Sequence, residues 1–306
     1  MSISRRSLLG VGLSLGAVTA LGGCGADSDP FAPESGAPES ADIVVGSATF
    51  TENVILANIY SQALTAQGLP SSVRPNLRSR EIYLPALRDG SISVIPEYTG
   101  NLLLYLDPDT TATTAEEVEQ LLPEAVGPGL NLLEPSDAVD QDVYVVTAAF
   151  SRRFGVRSLT DLAKVSGNVI LGGPTELKER DYGPAGLEQI YGSKLRAFKP
   201  YDSPAVKIRD LLDDKIQLAT FFTTESAIAD NGLVVLSDPQ SMILPQNIVP
   251  LVRSEVASNS AAVAAIAAVQ AALTTADLTA LNKRVDTDRQ DPDQVAADWL
   301  ESKGLA

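Results

Sequence analysis

Two apolar rhythms alternate along this chain. Ile43-Val44-Val45-Gly46 is a short unbroken apolar run of strand length. After it, Ile55, Ile59 and Ala63 recur every fourth residue, with Leu56, Tyr60 and Leu64 beside them. That spacing predicts a helix opening at Thr51 or Glu52 and closed by Gly68. A second strand is expected near residues 73–77. Ser79 then caps a short helix carrying Leu84 and Leu87, and Asp89-Gly90 turns the chain. A strand over 93–96 leads into a helix from Thr99, and another helix covers 115–122. Val143-Tyr144-Val145-Val146 forms the centre of a strand over 142–148 and opens a second series. That series holds a helix capped by Ser158, a strand at 169–171, helices at 185–191 and 206–212, and strands at 216–221 and 233–236. A strand at 248–252 returns toward the first sheet. Ser260 to Leu273 is alanine-rich and helical by propensity. Asp291, Pro292 and Gly304 occupy the cap, first-turn and C′ positions of a last helix.

Strand alternating with helix predicts parallel sheets with both faces covered. Two such series in tandem predict an α/β protein of two lobes, with a ligand cleft between them. The expected organisation is lobe 1 over 42–138 plus 245–306 and lobe 2 over 139–244.

The amino-terminal 41 residues follow neither rhythm. Arg5 and Arg6 precede an apolar stretch from Leu8 to Leu21, too short for the roughly 20 residues a spanning helix needs. Cys24, the only cysteine, follows Leu21-Gly22-Gly23. The arrangement resembles a bacterial lipoprotein signal peptide over residues 1–23, with Cys24 as the lipid acceptor. A buried free thiol is the alternative, and Asp27, Ser28, Asp29 and Pro30 argue against it. Ser4-Arg5-Arg6-Ser7-Leu8-Leu9 also resembles a twin-arginine signal, with an ordinary basic leader as the other reading. Residues 24–41, with Pro30, Pro33 and Pro38, read as a flexible spacer. The expected location is the outer face of the cytoplasmic membrane, reached through the lipid.

Charge and composition narrow the chemistry. The chain carries 39 acids against 23 bases, a net charge of −16. Losing residues 1–23 removes Arg5 and Arg6 and no acid, giving −18. Such a surface repels nucleic acid and anionic headgroups. There is no histidine, which removes Ser-His-Asp and Cys-His catalysis and every His-containing zinc site. Acid–base work would fall to Asp, Glu, Lys or Tyr. Asp286, Asp288, Asp291 and Asp293 imitate a calcium loop, but the sixth-position glycine is missing and Ala297 stands where the bidentate Glu belongs. Gly172-Gly173-Pro174 lacks the Gly-Lys-Ser/Thr of a phosphate loop. No cofactor, metal or enzymatic activity is expected.

Five segments in order resemble the osmoprotectant-binding proteins of ABC importers, which take glycine betaine, choline or carnitine. They are Ile43-Val44-Val45-Gly46-Ser47 with Phe50-Thr51-Glu52; Asn76 to Glu81 leading to Pro96-Glu97-Tyr98-Thr99-Gly100; Gly172 to Arg180, then Gly186-Leu187 and Tyr191-Gly192; Phe222-Thr223-Thr224-Glu225 with Leu233-Val234-Val235-Leu236; and Asn247 to Val252. Pro-Glu-Tyr-Thr-Gly is the most specific. The resemblance covers nearly all of residues 43–305. It implies a two-lobed periplasmic-binding-protein-like (type II) clamp, a monomer, working with a separate permease and ATPase.

The resemblance also implies a site. A trimethylammonium group has no N–H to donate, and aromatic faces suit its spread charge and methyl surface. Tyr98 and Tyr144 match two cage tyrosines, Phe222 a third aromatic, Arg180 a carboxylate-binding arginine and Asn101 a polar contact. Ala48 stands where relatives often have Lys or Gln, and Gln246 where a fourth cage tyrosine is usual. The implied cage has three aromatics and a thin anion grip, which leaves a bulkier or less charged ligand open. From residue pattern alone other readings stand. Tyr98 and Tyr144 can be core, one of Phe221 and Phe222 must point inward, and Lys178-Glu179-Arg180-Asp181 reads as a solvated face. The expected function is a lipid-anchored binding protein delivering a quaternary ammonium solute to an importer. The alternatives are another small solute, such as an amino acid or aromatic compound, or a surface hydrolase using paired carboxylates.

Overall fold

The computed structural model describes residues 42–306. The leader, Cys24 and the spacer lie outside the described residues. In chain order the first series is β1 (Ile43–Gly46), α1 (Thr51–Ala66), β2 (Ser71–Arg74), α2 (Arg80–Asp89), β3 (Val94–Tyr98), α3 (Thr99–Leu106), α4 (Ala115–Val126) and β4 (Leu130–Leu132). The second holds β5 (Asp142–Thr147), β6 (Ile170–Gly173), β7 (Ala197–Pro200), β8 (Leu218–Phe222) and β9 (Leu233–Val235), with helices between. The chain then returns as β10 (Ile248–Arg253), followed by the helices Ser260–Ala272, Thr275–Asp286 and Pro292–Lys303.

Two five-stranded sheets result, in the orders β2-β1-β3-β10-β4 and β7-β6-β8-β5-β9. They are mixed rather than parallel. β1 runs parallel to β2 and β3, but β10 is antiparallel to β3 and β4. Likewise β6 runs parallel to β7 and β8, while β5 is antiparallel to β8 and β9. The two reversed strands, β5 and β10, each follow a segment that crosses from one sheet to the other, and no helical crossover sets their direction.

The first sheet is covered on both faces. α1 and the three carboxy-terminal helices pack on one side around Ile55, Leu56, Ile59, Val269, Val295 and Trp299. α2, α3 and α4 pack on the other around Leu87, Ile95, Leu102 and Leu122. In the second sheet Tyr144 and Val146 face one cluster, and Val145, Ala219 and Phe221 the other. That split follows from the two-residue period of a strand.

Several local expectations shift for identifiable reasons. The second strand stops at Arg74 because Pro75 has no N–H to pair, and Asn76 and Arg78 take positive φ of 63° and 65°. Ser79 precedes α2 but caps no backbone group, and its hydroxyl donates to the Glu81 carboxylate at 2.5 Å. The helix after Ser158 is a 3-10 helix, Leu159–Lys164. The helix Thr275–Asp286 was not apparent from the pattern. Among its residues only Leu278, Leu281 and Asn282 are buried, and a Thr274–Asp277 capping box defines its start.

Candidate functional site

The first and second sheets meet along three short segments: residues 139–142, 223–225 and 244–247. Backbone bonds tie them together: Asp140 N–H donates to the Gln246 carbonyl (3.1 Å) and Thr223 N–H to the Gln141 carbonyl (2.9 Å). α3 begins against the same place. A Cβ on Gly100 would lie 2.5 Å from the Pro245 carbonyl oxygen, so only glycine lets the helix approach the returning chain.

Aromatic rings cross this junction. Phe50, just before α1, lies 5.7 Å from the Tyr98 ring and 5.0 Å from the Phe222 ring, centroid to centroid. Phe50 and Phe222 are half-buried, whereas Tyr98 is buried. Strand alternation places Phe221 inward, under the Lys207 ammonium at 4.1 Å, and turns Phe222 toward Phe50. Asp142 pairs with Phe222 in the β5–β8 register, so both side chains leave the same face of the sheet.

Asp142 is the polar focus. Asn101 Nδ2 donates to its Oδ2 at 2.5 Å and Gln246 Nε2 at 3.4 Å. Burial pushes this carboxyl up, and the two amide donors only partly offset that. Tyr144, two residues along, is buried in the second-sheet cluster, and its hydroxyl donates to the Tyr182 carbonyl at 2.5 Å. A cavity of about 280 Å³ is lined by Asp142 and Tyr144 with Leu159, Leu236, Asp238 and Ile243. Tyr98, Arg180 and Phe222 are not among its walls.

Of the residues singled out from sequence, Tyr144 thus sits in the second-sheet cluster and the other five fall into three places. Tyr98 and Phe222 meet through Phe50. Asn101 and Gln246 meet on Asp142. Arg180 bridges the two halves of the molecule. Its Nη1 donates to Glu81 Oε1 at 2.8 Å, and its guanidinium lies 5.3 Å from the Tyr105 ring centroid. The Arg180 bond lowers the Glu81 carboxyl to about 2, against the opposing effect of burial. A ligand carboxylate would have to displace Glu81 to reach this guanidinium. Phe50 and Asp142, which join these groups, carry no signal of that contact in local spacing, although Phe50 belongs to the Phe50-Thr51-Glu52 motif. Ala48 is buried, and its N–H donates to Asn53 Oδ1 at 2.7 Å.

Behind the aromatic run lies a buried acid pair that no sequence spacing indicated. Tyr98 Oη donates to Glu52 Oε1 (2.9 Å), while Thr224 Oγ1 (2.6 Å) and Asn282 Nδ2 (2.7 Å) donate to Oε2. Asp140 Oδ1 accepts from Thr223 Oγ1 and Thr224 N–H, both at 3.1 Å. Burial raises both carboxyls, and the Glu52 charge raises Asp140 further. Burial, and for Asp140 the nearby Glu52 charge, thus make both acids hold their protons to higher pH than exposed carboxyls do. The pair is sealed, at 4% and 1% exposure, so it offers no oxygen to a substrate.

Glu52→Gln is expected to flatten the dependence of stability on pH. The folded-state values of Glu52 and Asp140 lie above their ordinary 4.5 and 3.8. As pH rises, the unfolded chain releases these protons first, so stability is lost from about pH 4 upward until the folded values are passed. The variant removes one of the two ionisations. Its melting temperature should fall less steeply as pH rises above about 4.5; an unchanged slope would show that burial does not hold the Glu52 proton.

The family profile described as the substrate binding domain of the ABC-type glycine betaine transport system matches residues 41–302. The chain belongs to this family. The family binds solutes for transport and is not a family of enzymes. Among similar sequences, the glycine betaine-binding protein YehZ of Escherichia coli (strain K12) is 27% identical over 281 residues, 87% of this chain and 92% of that protein. A glycine-betaine-binding protein of Pseudomonas aeruginosa is 27% identical over 285 residues, 89% of this chain and 91% of its own length. The solved structure of unliganded YehZ aligns with a TM-score of 0.62 at 26% identity, covering 87% of this chain and all of that one. A glycine betaine/carnitine/choline ABC transporter structure aligns at 0.69 with 18% identity, over 86% and 99% of the two chains, which shows the shared fold. The family's solute-binding fold is thus present in the α/β architecture with two sheets that the alternating pattern implied.

Proposed function

We propose that this family member is a lipid-anchored, extracytoplasmic binding protein that delivers a quaternary ammonium solute to an ABC importer. The observation that carries this reading is the aromatic run Phe50–Tyr98–Phe222, which passes from the first sheet to the second beside the Asp142 carboxyl. Such rings suit a methylated cation, at about 0.5–2 kcal/mol per contact. Tyr98, Asn101, Phe222 and Gln246 serve as walls, with Tyr144 holding the second lobe's face in place through Tyr182. Lobe 1 would comprise residues 42–138 plus 245–306 and lobe 2 residues 139–244, closing on the solute at the crossing segments. Arg180 and Glu81 act as a latch across the closed cleft. Both curated relatives are named for glycine betaine, which supports the onium class. Cys24 carries the lipid, and the permease and ATPase are separate chains; among the described residues no single helix is long and apolar enough to cross a membrane.

Calorimetry tests the reading. Choline or glycine betaine should bind, and ethanolamine or glycine, their unmethylated counterparts, should bind at least about tenfold more weakly. Equal binding of methylated and unmethylated amines would rule out an aromatic cage.

A further inference from the structure

The polar side of the junction centres on one carboxyl, Asp142, with two amides donating to it. Asp142 is buried at 8% exposure, and no cation is bonded to it. Its two partners are neutral amides, Asn101 and Gln246. The cations that act on it from a distance are occupied elsewhere. Arg80 donates through Nε and Nη2 to the Glu97 carboxylate at 3.0 and 2.7 Å. Lys207 donates to the Thr220 carbonyl at 2.6 Å and lies over Phe221. A buried carboxylate facing only neutral amides lacks the countercharge that ordinarily accompanies such a group.

A second observation concerns Asn101. This residue is 6% exposed, and its Nδ2 is committed to Asp142. That bond fixes which way the amide faces and leaves Oδ1 buried with no donor. Buried acceptors in folded proteins are nearly always paired, so an orphan at a ligand junction calls for a donor from outside. Asp142 thus calls for a positive charge and Asn101 for an O–H or N–H. A trimethylammonium head brings the charge without N–H, so the donor must come from elsewhere on the same molecule. An alcohol two carbons from the nitrogen supplies it. A zwitterion such as glycine betaine has no donor at all, and its carboxylate would enter a site that holds Asp142. The guanidinium that could receive that carboxylate, Arg180, is held by Glu81. Asp142 also borders the cavity of about 280 Å³, and its cross-strand neighbour Phe222 turns a ring toward Phe50.

We propose that Asp142 and the free carbonyl of Asn101 form the polar half of the ligand site and select a cationic alcohol of the choline type over a carboxylate-bearing zwitterion. This rests on the reading that the protein binds a quaternary ammonium solute. It adds a sign preference and a specificity residue, Asp142, to that reading.

The test is titration calorimetry on the full-length chain with four solutes. They are choline, glycine betaine, tetramethylammonium, and 3,3-dimethylbutan-1-ol, the neutral carbon isostere of choline. Choline should bind at least about tenfold more tightly than glycine betaine. Tetramethylammonium, lacking the hydroxyl, should bind more weakly than choline, and the isostere should give no measurable heat. Asp142→Asn, which keeps the shape and removes the charge, should shrink the choline-to-betaine ratio about tenfold. The solute comparison on the unaltered protein stands even if the variant folds poorly. Glycine betaine binding as tightly as choline, or a neutral isostere binding like choline, would overturn the proposal while leaving the onium reading intact. Failure of every trimethylated solute to bind would overturn both.

Discussion

Replacing Glu97 by Ala is expected to destabilise the protein by about 3–5 kcal/mol, the cost of leaving a buried charge unpaired. Glu97 is fully buried, and three groups depend on its carboxylate. Arg80 donates to both oxygens at 3.0 and 2.7 Å, Tyr83 Oη donates at 2.8 Å, and the Tyr98 N–H donates at 3.0 Å. Alanine would strand the Arg80 guanidinium at 8% exposure, together with a phenol and an amide. For a domain of this size the melting temperature should drop by roughly 10 °C. Removing both charges with Arg80→Met and Glu97→Leu together should cost less than Glu97→Ala alone, because no ion is left uncompensated. Thermal melts of the three variants decide it. A loss below about 1 kcal/mol for Glu97→Ala would mean that water reaches Arg80 and the pair acts as a surface bridge.

Phe50→Ala is expected to weaken choline binding by about tenfold or more, the equivalent of at least 1.4 kcal/mol. Its ring is the common neighbour of Tyr98 and Phe222, at 5.7 and 5.0 Å, so its loss opens the run between the two sheets. Phe50→Leu separates π-electron contact from packing. Leucine keeps most of the apolar volume against both faces of the first sheet, where Phe50 packs. Stability should therefore be largely retained while affinity still falls. Phe154→Ala, an exposed ring near the end of the helix Ala148–Phe154, serves as the control and should bind like the unaltered chain. If Phe50→Leu binds choline as tightly as the native protein, the ring is a packing element and the aromatic account of the site fails.

The charge arrangement around Asp142 also explains why a net charge of −16 does not by itself identify the ligand's charge. Surface acids are screened within about 10 Å at moderate ionic strength. A buried carboxyl beside two amides is not. A charge placed beside Asp142 therefore feels that carboxyl far more than the surface total.

Much of the architecture was legible in local pattern. The i, i+4 stripe of α1, the Asp291-Pro292 start and Gly304 end of the last helix, and the family motifs each depend on neighbours a few residues apart. Such signals survive in one dimension. The choice of Phe222 over Phe221 as the ring that leaves the core was partly legible, since alternation demands that one point inward, but not which one. Strand direction was not legible, because β5 and β10 take theirs from chain crossings. Nor was the helix Thr275–Asp286, whose buried face is only three residues wide.

The chain alone determined the alternating elements, the absence of histidine chemistry and the family, because each depends on residue identity and short-range spacing. Tertiary structure decided which side chains meet. It set Arg180 against Glu81, Asn101 and Gln246 on Asp142, Phe50 between Tyr98 and Phe222, and Glu52 beside Thr224 and Asn282. These partners lie far apart in sequence, and most of them come together at or beside the segments where the two sheets meet. Contact there is set by the packing of whole sheets against one another, which no local periodicity encodes.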